Sequence, residues 1–150
     1  MVKNYISKAK NELVDEKEYE SQAESYREES VVPIYKEYQK ELRKNDAVDF
    51  DELLFLVVRL FQENPDILGK YQNIWKYILI DEYQDTNHAQ YLFAKMLASE
   101  HRNLCVVGDD WQSIYSFRGA NFQNILDFEK DYKEKYSELR ILFSAISNNL

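Results

Sequence analysis

Apolar positions along this chain change period near its middle, and the change divides it into two kinds of element. Val31, Tyr35, Tyr38 and Leu42 fall at i, i+4, i+7 and i+11, one stripe along a helix. Ser30 is the expected cap of that helix, and Pro33 fits its first turn, where a missing N–H costs nothing. Ahead of it, Ile6, Ala9 and Leu13 make a shorter stripe that fades into acidic residues. Asp49 opens a further helix with Glu52 at capping-box spacing. Phe50, Leu53, Leu54, Val57, Leu60 and Phe61 form its apolar face, and Asn64-Pro65 ends it. The reading of Asp49 and Asp51 is capping, with a direct chemical role as the alternative.

From Tyr77 the period shortens. Tyr77–Ile80 and Leu104–Val107 are short apolar runs of the kind found in strands buried on both faces. Between them Asn87 or Thr86 caps a helix whose core face is Ala89, Leu92, Phe93, Met96 and Leu97. Phe122, Ile125 and Leu126 mark another helix, and Arg140–Phe143 a third strand. Strand–helix–strand–helix–strand predicts an α/β fold, a mainly parallel sheet covered by helices and preceded by a helical arm.

The first two strands end in acids and amides. Ile80 is followed by Asp81-Glu82-Tyr83-Gln84-Asp85-Thr86-Asn87, and Val107 by Gly108-Asp109-Asp110-Trp111-Gln112-Ser113-Ile114-Tyr115-Ser116-Phe117-Arg118-Gly119-Ala120. Ligand chemistry in open α/β sheets sits at the carboxyl ends of strands. Adjacent carboxylates there suit nucleotide hydrolysis, one holding Mg²⁺ and the other orienting or deprotonating water.

These segments resemble the UvrD/PcrA/Rep family of superfamily 1 DNA helicases. Asp81–Asn87 is similar to the family's Walker B segment (motif II) and Val107–Ala120 to its motif III. Asp49-Phe50-Asp51-Glu52-Leu53-Leu54 is similar to its Asp-Phe-Asp-Asp-Leu-Leu, and the likeness runs from Ile6-Ser7-Lys8-Ala9-Lys10-Asn11 to about Phe128. The resemblance implies an internal piece of an ATP-dependent 3′–5′ DNA helicase of the DNA-repair type. Residues 1–48 would be the end of an inserted helical arm and 49–150 part of a RecA-like P-loop NTPase domain. Asp81 would ligand Mg²⁺, Glu82 would activate water at the ATP γ-phosphate, and Gln112 would touch that phosphate. Gln84 and Asp85 would couple the hydrolytic site to neighbouring motifs. Tyr115, Phe117 and Arg118 would stack on and grip single-stranded or partly duplex DNA, indifferent to base sequence. Phe117 stands where the family often has Trp, and Trp111 where many relatives have Asp. The remaining helicase domains would be its partners.

Composition tempers that picture. The net charge is −8, awkward for a nucleic-acid binder, and between Glu12 and Glu29 eight acids face two bases. That run reads as a solvated helix face. Cys105, the lone cysteine, reads as a small core residue and excludes a disulfide framework; His88 and His101 read as surface residues. No signal peptide or apolar run of membrane length is present, so a cytoplasmic, nucleoid-associated chain without membrane contact is expected.

With 3 Gly, at 69, 108 and 119, the sequence holds no Gly-x-x-x-x-Gly-Lys loop to cradle phosphates. The 150 residues alone are therefore not expected to turn over ATP. Two alternatives stand beside the helicase reading: a truncated, non-catalytic DNA- or protein-binding module, and a metal-dependent nuclease site. Motif III argues against the second.

Overall fold

Helix ends, more than helix interiors, set the path of the N-terminal half. The computed structural model describes residues 2–108 and the strand at 142–143. Helix α1 (Val2–Asn11) stops where Val14 N–H reaches Ala9 O at 2.8 Å and Leu13 N–H reaches Lys10 O at 3.0 Å. Leu13 takes the left-handed conformation that this helix end demands, at φ 59°. A non-glycine residue there costs about 1–2 kcal/mol. Burial of Val14 against Ile6, Ala9, Val31 and Tyr35 offsets it. Leu13 is thus a turn residue, not the third member of a helical stripe.

Asp15 caps α2 (Glu16–Gln22), and Ser25 caps α3 (Tyr26–Lys44), each through a complete capping box. The cap of α3 therefore lies five residues before Ser30, whose hydroxyl instead donates to Arg27 O at 2.6 Å. Pro33 lies well inside the helix, against expectation. It is tolerated because it and Glu29 are exposed, so the carbonyl deprived of its helical donor meets solvent. Val31 and Tyr35 are buried as the stripe predicts, Tyr38 is partly exposed, and Gln39 is buried.

The acidic run is not simply a solvated face. Glu16 is buried and paired with Arg43 at 2.9 Å, Glu18 with Arg59 at 2.6 Å, and Glu20 with Lys36 at 2.5 Å. Its acids fasten α2 to α3 and α4.

Helix α4 (Phe50–Glu63) begins at the expected cap, with Glu52 N–H donating to Asp49 Oδ1 at 2.8 Å. The buried face differs from the expected one. Glu52, Phe55, Val58 and Phe61 point inward, while Phe50, Leu53 and Leu60 are 88%, 54% and 40% exposed. Asn64-Pro65 ends α4 and also starts α5 (Pro65–Ile74), a helix the sequence reading passed over. Phe61 stacks on Phe93 at 5.9 Å and meets Tyr71 at 5.5 Å, joining α4, α5 and α6 (His88–Ala98).

Strands β1 (Ile78–Ile80), β2 (Leu104–Gly108) and β3 (Leu142–Phe143) form a parallel sheet in that order. Val106, Ile80 and Leu104 pack with Tyr83 and Tyr91, so one face is covered. The other is not: register partners Leu79 and Cys105 are both exposed, Leu79 at 70%. Strands buried on both faces, and a core Cys105, are therefore not what the described residues display. His88 and His101 are half-buried rather than on the surface. Among the described residues no helix is long and apolar enough to cross a membrane.

Candidate functional site at the end of the first strand

Strand β1 delivers its acids through a sharp bend. Glu82 takes the left-handed conformation at φ 51°, ψ 42°, and a 3₁₀ turn (Tyr83–Asp85) follows at once. A non-glycine residue in that region costs about 1–3 kcal/mol and persists where its surroundings over-determine it, commonly at functional sites. The surroundings here are specific. Glu82 N–H donates to Asp81 Oδ1 at 2.9 Å, which ties one carboxylate oxygen of Asp81 to the bend. Gln84 Nε2 donates to Glu82 Oε2 at 2.7 Å, which steadies the second carboxylate. Thr86 Oγ donates to Tyr83 O at 2.7 Å and closes the turn. Asn87 then caps α6 in a capping box with Gln90.

Asp81 and Glu82 are both exposed, whereas Tyr83 and Gln84 are buried beneath them at 4% and 2%. The two strand ends meet at this point. A methyl group placed on Gly108, the last residue of β2, would lie 2.6 Å from Gln84 Oε1. Glycine at 108 is what allows Gln84 to sit between the strand ends and reach Glu82. Asp85 is half-buried, and among the described residues its Oδ1 is enclosed without a hydrogen-bond partner. Gln112, Tyr115, Phe117 and Arg118 lie outside the described residues, as do Trp111 and the helix expected around Phe122.

The donor set suits a hard divalent cation. Carboxylate oxygens are Mg²⁺ ligands, and Mg²⁺ typically takes only one or two of them together with water and phosphate. Asp81 keeps one oxygen clear of the backbone bond and is open to solvent. Among the described residues no larger group of acids, His or Cys gathers as a metal cage.

A second polar centre, which the sequence reading missed, joins α1 to α3 and α4. Lys10, 1% exposed, lies 2.6 Å from Asp49 and 3.5 Å from Glu52. Tyr38 donates to the same Asp49 oxygen at 2.8 Å, and Gln39 to Glu52 at 2.7 Å. Burial of Asp49 alone would raise its carboxyl, but the hydrogen bonds from Lys10, Tyr38 and the Glu52 N–H, with the Lys10 charge, hold it below the ordinary range. Burial first, and then its bond to Asp49, push the Tyr38 phenol up to about 12. Asp49 is thus a helix cap and an ion-pair partner together. The capping box expected at Asp49–Glu52 is half made, because the Glu52 carboxylate is spent on Gln39 and Lys10.

A parallel sheet with helices packed on it defines an α/β protein, and in such proteins ligand chemistry commonly sits at the carboxyl edge. The family model for the UvrD/REP helicase N-terminal domain matches residues 1–133, and the chain belongs to that family. It is 51% identical over 129 residues to the ATP-dependent DNA helicase PcrA of Staphylococcus aureus and 50% identical to that of Staphylococcus epidermidis. In both comparisons the alignment covers 86% of this chain and 18% of the relative, so the chain spans under a fifth of those relatives' length.

Proposed function

We propose that this chain is the motif II and motif III portion of an ATP-dependent DNA helicase that couples ATP hydrolysis to movement along single-stranded DNA in the 3′–5′ direction. Hydrolysis is assigned to the whole polypeptide, since the phosphate-cradling loop is not among these 150 residues. On this reading residues 1–48 belong to the helical arm and 49–150 to the RecA-like domain.

The observation that carries the reading is the Asp81–Glu82 pair. Two exposed carboxylates stand on a strained bend at a parallel strand end, one fixed by a backbone N–H and the other by a buried amide. Asp81 would hold Mg²⁺, which when bound supplies charge neutralisation to the phosphates of ATP. Glu82 would accept the proton of the attacking water, and its bond to Gln84 keeps the accepting oxygens in one orientation. Gln84, lodged against Gly108, would relay the state of that carboxylate to the β2 end, where Gln112 follows four residues later. Asp85 shares the coupling role. Tyr115, Phe117 and Arg118 would provide the stacking and phosphate contacts for DNA.

The test is DNA-stimulated ATP hydrolysis and unwinding by the full-length polypeptide that carries this segment, on duplexes with 3′ or 5′ single-stranded tails. Mg²⁺-dependent turnover that rises with single-stranded DNA, and strand separation from the 3′ tail, are expected. Phe117→Ala weakens single-strand binding by about 1–3 kcal/mol on every homopolymer, and Arg118→Ala lowers the salt dependence by about one phosphate. Turnover indifferent to DNA, or affinity unchanged in Phe117→Ala and Tyr115→Ala alike, contradicts the reading.

A further inference from the structure

Three stretches far apart in sequence meet in one hydrogen-bonded chain beside the carboxylate-bearing bend. Asn87 Nδ2 donates to Asn11 Oδ1 at 2.6 Å, across 76 residues of sequence. Asn11 Nδ2 donates in turn to Asp51 Oδ1 at 3.3 Å and to Ser7 O at 2.9 Å. We propose that Asn11 is a positioning residue for the Asp81–Glu82 carboxylates, acting through Asn87, the residue that ends their bend. This rests on the hydrolytic reading of that pair.

The orientation of every amide in the chain follows from its neighbours. Asn87 Oδ1 accepts from Gln90 N–H at 2.9 Å, so only its Nδ2 is left to face Asn11. Asn11 must therefore present its oxygen to Asn87, and its own Nδ2 faces Asp51 Oδ1, Ser7 O and Ser7 Oγ. Position 11 needs an acceptor and a donor on one short side chain. Aspartate would set a carboxylate beside Asp51 and a carbonyl, and alanine would offer neither group.

The position of Asn87 fixes what lies before it. From Glu82 to Asn87 the chain has five peptide links; Glu82 itself is strained, and Tyr83–Asp85 form the 3₁₀ turn. One end of this short span is anchored by strand pairing of Ile80 with Val106, and the other by the Asn87 cap. Asn11 ties that second anchor to α1, and the adjacent Lys10 ties α1 to the start of α4. Movement of α1 is thereby transmitted to the end of the span that carries Glu82. Misplacing a reacting group by about 1 Å can cost about 100-fold in rate.

The experiment uses the full-length polypeptide with Asn11→Ala, Asn87→Asp and both together. Asn87→Asp is selective, because aspartate caps a helix as well as asparagine does but has no Nδ2 to give Asn11. Each single variant should lower kcat for DNA-stimulated ATP hydrolysis about tenfold, with KM for ATP within about twofold. The double variant should be no slower than the worse single one, since both remove one link. Amide hydrogen exchange at residues 82–87 should rise in both variants, whether or not the wild type hydrolyses ATP. Unaltered exchange there, additive losses in kcat, or a lowered Tm with kcat intact would overturn the proposal. A wild type without ATPase activity, but with exchange that rises in the variants, would instead sink the hydrolytic reading and leave the Asn11–Asn87 link standing.

Discussion

Lys10 and Asp49, 39 residues apart, form an ion pair of 2.6 Å in which the lysine side chain is 1% exposed. Glu52 lies 3.5 Å from the same ammonium, so one cation answers two carboxylates. Taking one partner from such a buried group costs about 3–5 kcal/mol, because it strands charge away from water. Lys10→Met should therefore lower stability by about that amount in urea denaturation. Adding Asp49→Asn and Glu52→Gln should recover much of the loss, since neutral groups need no counter-ion. No recovery would show that the cost arises from packing.

The same pair gives a pH dependence with a definite sign. Asp49 ionises below the ordinary carboxyl value of 3.8 when folded. Its contribution is therefore complete above the unfolded value and is lost as pH falls through the lower, folded one. Stability should decline on acidification below about pH 4, and Asn at position 49 should flatten that slope. Thermal melts across an acid series check this, and parallel slopes for the two proteins would contradict it.

Gly108 and Gln84 offer a test of the contact between strand ends. A methyl group at 108 would meet Gln84 Oε1 at 2.6 Å and the backbone nitrogens of Tyr83 and Gln84 at 3.4 Å. Gly108→Ala should cost about 1–3 kcal/mol through overpacking and release Gln84 from Glu82. Gln84→Ala in that background should restore stability but not the bond to Glu82. If stability stays low in the double variant, the backbone contacts dominate the clash.

Local chemistry was legible in the sequence, and long-range pairing was not. Asp49 and Asn87 could be read as caps because a cap depends on residues three positions on. The acids after Ile80 could be placed at a strand end for a similar reason. Helix α5 was missed because Pro65 reads equally well as a stop and as the first residue of a new helix. The true start of α3 was written in Ser25 and Glu28, but Pro33 drew the reading toward Ser30. Periodicity could not say which face of α4 turns inward: Phe50 and Leu53 are as apolar as Phe55 and Val58, yet the first two are exposed. Lys10 and Asn11 looked like ordinary helix residues. Their partners lie 39 and 76 residues away, and no local pattern marks such a pair.

The most direct measurement compares Glu82→Gln with Asp81→Asn in the full-length polypeptide, reading Mg²⁺-nucleotide affinity and turnover for each. Glutamine keeps the size of Glu82 and can still meet Gln84, but it cannot accept a proton from water. Glu82→Gln should lose hydrolysis by orders of magnitude while binding nucleotide nearly as the wild type does. Asp81→Asn should weaken Mg²⁺-nucleotide binding as well, because a metal ligand loses its charge. Near-normal hydrolysis in Glu82→Gln would contradict the account at its centre.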